Sequence, residues 1–141
     1  DLRQNSIGSM HSILDAKAIA QLNKSGKMIY SALSAVDKSK ARSVAKYHLD
    51  MQRITDICKD ALTPGGMVLM VIGNTEYKGV HIDNVKHLTE SMLTSGFDQV
   101  MVTKRKISGK ILTPYRDENG RFSSSSDKRT VYGEEFIVVG R

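Results

Sequence analysis

The six residues Met67-Val68-Leu69-Met70-Val71-Ile72 are the longest apolar run in the chain, and they come directly after Thr63-Pro64-Gly65-Gly66. A breaker and then an apolar run without alternation describe a strand buried on both sides, as in the interior of a parallel sheet covered by helices. The run is far short of the roughly 18 residues that a membrane helix needs, so no membrane partner is expected. Gly73-Asn74 ends the strand, and a polar loop is expected from there to His81.

The flanking patterns are helical. Asp37 is a suitable N-cap for a long helix from about Lys38 to Leu62. Val44, Tyr47, Met51, Ile54, Cys58 and Ala61 recur along it at intervals of three and four, which predicts one buried face. Asp83 can cap a second helix, from about Asn84 to Ser95, with Val85, Leu88, Met92 and Leu93 inward and Gly96 as its stop. Phe97 to Thr103 reads as the next strand. Helix, strand, helix, strand is the α/β order, and the crossover rule makes the two strands parallel and joined right-handedly. Upstream, residues 1–37 read as a helical segment: Ile13, Leu14, Ala18 and Leu22 form one stripe, Ser25-Gly26 interrupts, and Met28, Ile29, Leu33 and Val36 form another.

From Lys104 the composition changes. Lys104, Arg105, Lys106, Lys110 and Arg116 fall in one stretch without an acid, followed by Asn119-Gly120 as a turn and a serine run from Ser123 to Ser126. Residues 104–130 are expected to be a flexible basic and serine-rich loop. Glu135 to Val139 closes the chain as a strand, and the loop suggests an antiparallel return rather than another crossover.

A chain of 141 residues suffices for one domain with a sizeable core. Its formal charge of +6 and pI of about 9.5 favour polyanionic partners. The single cysteine, Cys58, cannot close an internal disulfide, which suits a reducing, cytoplasmic setting. Its apolar neighbours predict a buried structural thiol. The chain begins with Asp1 rather than Met, as a processed or excised piece would.

Several chemistries find no support. Gly73 to Gly79 lacks the Gly-Lys-Ser/Thr ending of a phosphate loop. Gly65-Gly66 precede a strand, whereas a dinucleotide fingerprint comes after one. His11, His48, His81 and His87 are not at the spacing of a helical zinc site, so no metal is expected. No Gly-x-Ser-x-Gly nucleophile elbow occurs.

An ordered series runs through residues 41–141: a long helix, Leu62-Thr63-Pro64-Gly65-Gly66, a strand ending Val71-Ile72-Gly73-Asn74, Lys78-Gly79, a helix, and Gly96-Phe97. Arg105-Lys106-Ile107-Ser108-Gly109-Lys110 and a last strand over Glu134 to Val139 complete it. The series resembles the region after the catalytic motif in class I SAM-dependent methyltransferases. More narrowly, it resembles the bacterial DNA amino-methyltransferases of restriction-modification, which modify adenine N6 or cytosine N4. The resemblance implies the C-terminal half of such a domain, with a partial Rossmann-like methyltransferase sheet. The strands starting at Met67, Phe97 and about Glu135 would be its fifth, sixth and seventh, the last lying antiparallel between the other two.

The glycine-rich SAM loop and the Asp/Asn/Ser-Pro-Pro-Tyr/Phe motif of that family do not occur here, where the prolines are Pro64 and Pro114. Catalytic and cofactor residues are therefore expected on a missing N-terminal half, which would hold S-adenosylmethionine. A methylase must flip its base out of the stack. Asn74, Ile107 and Tyr115 are candidates for the target-base pocket, although Asn74 equally suits a turn. Lys104, Arg105, Lys106, Lys110 and Arg116 are candidates for phosphate contacts, with the salt dependence such contacts bring. Other readings are a non-catalytic nucleic-acid-binding module, an RNA methyltransferase of the same fold, or an interaction domain. In that last case the bare edge of the first strand would pair into a homodimer, or the helices of residues 1–36 would cover it.

Overall fold

Asp37 starts the longest element. Its carboxylate Oδ1 accepts the backbone N–H of Lys40 at 2.9 Å, and the helix α3 (Lys38–Ala61) begins there. It ends at Leu62, and Thr63-Pro64-Gly65-Gly66 reverses the chain with a Gly66 N–H to Thr63 carbonyl bond of 2.8 Å. Pro64 in second place and Gly65 at φ +78° in third are the pattern of a type II turn. A Cβ on Gly66 would meet the Thr63 carbonyl oxygen at 2.9 Å, so both glycines are required by the backbone.

The computed structural model describes residues 6–8, 14–107, 115–117, 121–123 and 134–141, with only the backbone described at 115, 116 and 122. The described residues form a mixed α/β fold of four helices and a small antiparallel sheet. Before α3 come α1 (Ala16–Ala20) and α2 (Lys24–Val36). After it come β1 (Val68–Ile72), β2 (Thr75–Tyr77), β3 (Val80–Ile82), α4 (Asn84–Thr94) and β4 (Val100–Lys106). The chain closes with β5 (Tyr115–Arg116), β6 (Phe122–Ser123) and β7 (Glu134–Gly140).

The main sheet has the order β1-β7-β4. β7 is antiparallel to both neighbours, so β1 and β4 run in the same direction on either side of it. The register sets the rows across the sheet. Val68, Gly140 and Val100 share one row, Leu69, Val139 and Met101 the next, and Met70, Val138 and Val102 the one after. Alternate rows face alternate sides. α4 covers the side of Val68, Met70, Ile72, Phe136 and Val138 with Val85, Leu88 and Met92, and Phe97 closes the end. Met51 of α3 and Leu62, the residue that ends it, add to this cluster. A second cluster joins Ile29 and Leu33 of α2 to Ala41 and Ile82, and a third joins Leu14 and Leu22 to Ala45.

Several expectations change. Ser25-Gly26 does not interrupt a helix; it is the buried first turn of α2, and the break lies at residues 21–23. Asn23 caps that turn through Gly26 N–H, and the Glu90 carboxylate of α4 accepts both the N–H and the hydroxyl of Ser25 at 2.9 and 2.6 Å. Small residues suit this close approach, since a Cβ on Gly26 would lie 3.3 Å from the His87 ring.

The buried residues of α3 are Ala41, Ala45, His48 and Thr55, not the stripe expected from Val44 to Ala61. Ala61 is exposed and Cys58 only half-buried. The reason is that α3 lies between α2 and α4, where small side chains allow close packing and polar ones find partners. Leu93 points outward, 52% exposed, because Met92 takes the inward position beside it.

The expected polar loop after Asn74 is the hairpin β2–β3, turned by Lys78 at φ +48° and Gly79 at φ +81°. Two consecutive positive φ values make this a type I′ turn. The strand after α4 begins at Val100 and runs through Lys106, so the basic residues from Lys104 start as strand rather than loop.

β1 is not buried on both sides. Leu69 is 59% and Val71 53% exposed, and Met101 in the Leu69 row is 57% exposed. The helices of residues 1–36 do not cover this face: α2 packs on α3, α4 and β3. Among the described residues the outer edge of β1 has no strand beside it. Ile13, Asn119-Gly120 and the serines at 124–126 lie outside the described residues.

Candidate nucleic-acid interface

Because β1 and β4 run the same way, their carboxyl ends lie at one end of the molecule. Asn74 leaves β1 there, and Lys104, Arg105, Lys106 and Ile107 leave β4 there. One strand, β7, separates them, a span of about 10 Å at ordinary strand spacing. The sheet thus brings Asn74 and the start of the basic run together. Lys110 lies outside the described residues, as do the side chains of Tyr115 and Arg116. Only their backbone pairing is described, Tyr115 with Ser123 and Arg116 with Phe122.

The basic run looked unopposed in sequence, and the fold opposes it. Register places Arg105 directly across from Glu135 and Lys106 across from Glu134. Arg105 bonds the Glu135 carboxylate, and Lys104 Nζ lies 2.7 Å from Glu134 Oε1. Alternation sends Arg105 and Glu135 to the open face with Leu69 and Val71, and Lys104, Lys106 and Glu134 to the other. Lys104 and Arg105 are thus each paired with a carboxylate, and Lys106 lies across from Glu134 by register. Exposed pairs of this kind contribute only about 0–1 kcal/mol. Sequence reasoning missed Glu134 and Glu135 as partners because they lie about thirty residues downstream; a hairpin register counted back from the final strand is the signal that could have found them.

Asn74 is half-buried. Its Oδ1 accepts the Val85 N–H in the first turn of α4 at 3.0 Å, while Asn84 Nδ2 donates to the Gly73 carbonyl at 2.9 Å. Asp83 caps the same turn through Lys86 N–H at 3.0 Å. These bonds clasp the end of β1 to the start of α4, which is the helix-capping use of an Asn. Ile107 is half-buried just beyond β4. β1 leads into a tight hairpin, and Asn74 between them is bound to the first turn of α4.

Two histidines that the sequence reading weighed only as metal ligands, His48 and His87, lie behind the clasp. They are fully buried and stacked, with ring centroids 4.0 Å apart and planes 13° from parallel. Asn84 donates to Gly73, so its Oδ1 is the acceptor and His48 Nε2 donates to it at 3.0 Å. Burial lowers the His48 pKa, against a smaller raising effect from Asn84. Burial, with His48 beside it, lowers that of His87 to about 3. Both are neutral at pH 7. At the hairpin, the backbone N–H of Lys40 and then the Tyr77 hydroxyl hold Asp37 below the ordinary carboxylate range, and the bond to Asp37 raises Tyr77.

At the opposite end of the strands, a cleft of about 610 Å³ is lined by the Pro64-Gly65-Gly66 turn, Lys59, Asp98 and Arg141. Among the described residues, no three His, Cys, Asp or Glu side chains converge on a possible metal position, and no helix is long and apolar enough to cross a membrane. No family model, curated protein or solved structure matches the chain.

Proposed function

We propose that this chain is the C-terminal half of a SAM-dependent methyltransferase that modifies an exocyclic amino group of a DNA base, adenine N6 or cytosine N4, in the cytoplasm. The observation that carries this reading is the insertion of β7, antiparallel, between β1 and β4. That order is what the resemblance implies for the last three strands of such a domain. The bare edge of β1 and its exposed apolar face support a second point: the N-terminal half, bearing the SAM site and catalytic motif, joins along β1. SAM, bound there, supplies the methyl group.

This chain's own residues act on the nucleic acid. Lys104, Arg105 and Lys106 hold backbone phosphates by exchanging Glu134 and Glu135 for them, with Lys110 and Arg116 extending the contact. Ile107 and Tyr115 pack beside the flipped base, and Asn74 holds the rim of its pocket through α4.

Calorimetry with SAM tests the reading, on this chain alone and on the chain joined to a catalytic half. Binding only in the joined protein is the expected result. No binding in either would leave a nucleic-acid-binding module without catalysis. Light scattering of the isolated chain separates pairing of two copies along β1, which gives a dimer, from an edge reserved for the other half.

A further inference from the structure

The hairpin β2–β3 carries cations at the same end of the molecule as Lys104 to Lys106, and they are held differently. β2 begins three residues after β1 ends, and the Tyr77 hydroxyl donates to Asp37 Oδ2 at 2.8 Å, which fixes the hairpin against the start of α3. Lys40 Nζ lies 5.3 Å and Lys78 Nζ 5.5 Å from the centre of the Tyr77 ring. Both ammonium groups lie over an aromatic ring, and Lys78 also interacts electrostatically with the Asp37 carboxylate. The two oxygens of Asp37 are taken by the Lys40 N–H and the Tyr77 hydroxyl.

Lys78 is also the worse choice for its turn. At φ +48° it is the one described non-glycine residue with positive φ. Asn, Asp or Gly would take that position with less strain. Backbone strain at an exposed position points to what the side chain does there. An ammonium held on an aromatic face near a second one, at the carboxyl ends of the strands, suits a polyanion.

We propose that Lys40 and Lys78, braced by Tyr77, form a second grip on the phosphates of duplex DNA and widen the interface from β4 across to the hairpin; this rests on the DNA reading above. The test measures binding of a short mixed-sequence DNA duplex to the whole chain as a function of salt. The Lys40→Gln/Lys78→Asn variant is compared with Lys24→Gln/Lys27→Gln, which removes the same charge at the other end of α2, about 18 Å away.

The expected result is a fall of about 2 in the slope of log affinity against log salt for the hairpin pair, at about 0.9 per phosphate, and little change for the control pair. Lys78→Asn alone should raise the melting temperature while weakening binding, which separates loss of contact from loss of fold. Equal changes in the two pairs, or an unchanged slope for the hairpin pair, overturn the second grip. If substitution of Lys104, Arg105 and Lys106 weakens binding and the hairpin pair does not, the second grip alone is lost. If the unaltered chain binds no duplex, the DNA reading falls and the grip falls with it.

Discussion

On one face of the β1-β7-β4 sheet, Val68, Met70, Ile72, Phe136 and Val138 lie under α4; on the other, Leu69, Val71, Ile137, Val139 and Met101 lie under nothing among the described residues. Composition hardly differs between the two sets. The difference is the neighbour: the inner face meets a helix in the same chain, and the outer face, with the open edge of β1, meets none among the described residues. The two edges also differ. β4 ends in Lys104-Arg105-Lys106, the kind of charged edge that discourages strand pairing, while β1 is apolar from end to end.

The sharpest way to test this comparison is to remove an inner side chain. Leu88 is fully buried beneath the sheet. Leu88→Ala should lower stability by about 2–5 kcal/mol in urea unfolding, since a cavity opens in a closed cluster.

Acid should act on the same inner side. The folded His87 pKa, about 3, lies below the unfolded value of 6.5, so the unfolded chain binds more protons between them. Stability is therefore greatest above pH 6.5 and declines as pH falls, by about 2 kcal/mol at pH 5. His87→Gln should flatten that part of the profile; an equal slope in both proteins would place the acid sensitivity elsewhere.

Gly140→Ala adds a methyl group to the inner face, where a Cβ would lie 2.8 Å from Phe97 Cδ1 and 3.2 Å from Met92 Sδ. A loss of about 1–3 kcal/mol is expected from overpacking, measured by thermal melting.

The smallest effect belongs to the outer face. Leu69→Thr should change the stability of the isolated chain by less than about 0.5 kcal/mol. The same substitution should weaken association with whatever covers β1, read by light scattering or by pull-down with a catalytic half. A large loss of stability in the monomer would mean that the outer face is already covered, and the comparison would fail.

Much of the fold was legible in the sequence. The caps at Asp37 and Asp83, the turn at Pro64-Gly65-Gly66 and the strand at Met67–Ile72 each rest on local chemistry that acts within a few residues. The antiparallel return of the last strand was legible in the kind of linker before it. The inward face of α3 was not legible, because a helix between two others selects small and hydrogen-bonded residues that hydropathy scores as neutral. The basic end was half legible: its cations stand in one run, but their carboxylates sit on a distant strand.

By itself, then, the sequence determined α3, α4 and the strands of the main sheet, though not the hairpin β2–β3 or the start of α2, since caps, turns and apolar runs work over short distances. Only the tertiary structure decided which face of each element is covered, which charges are paired, and which histidines are stacked in the core, because each of these depends on a neighbour far along the chain.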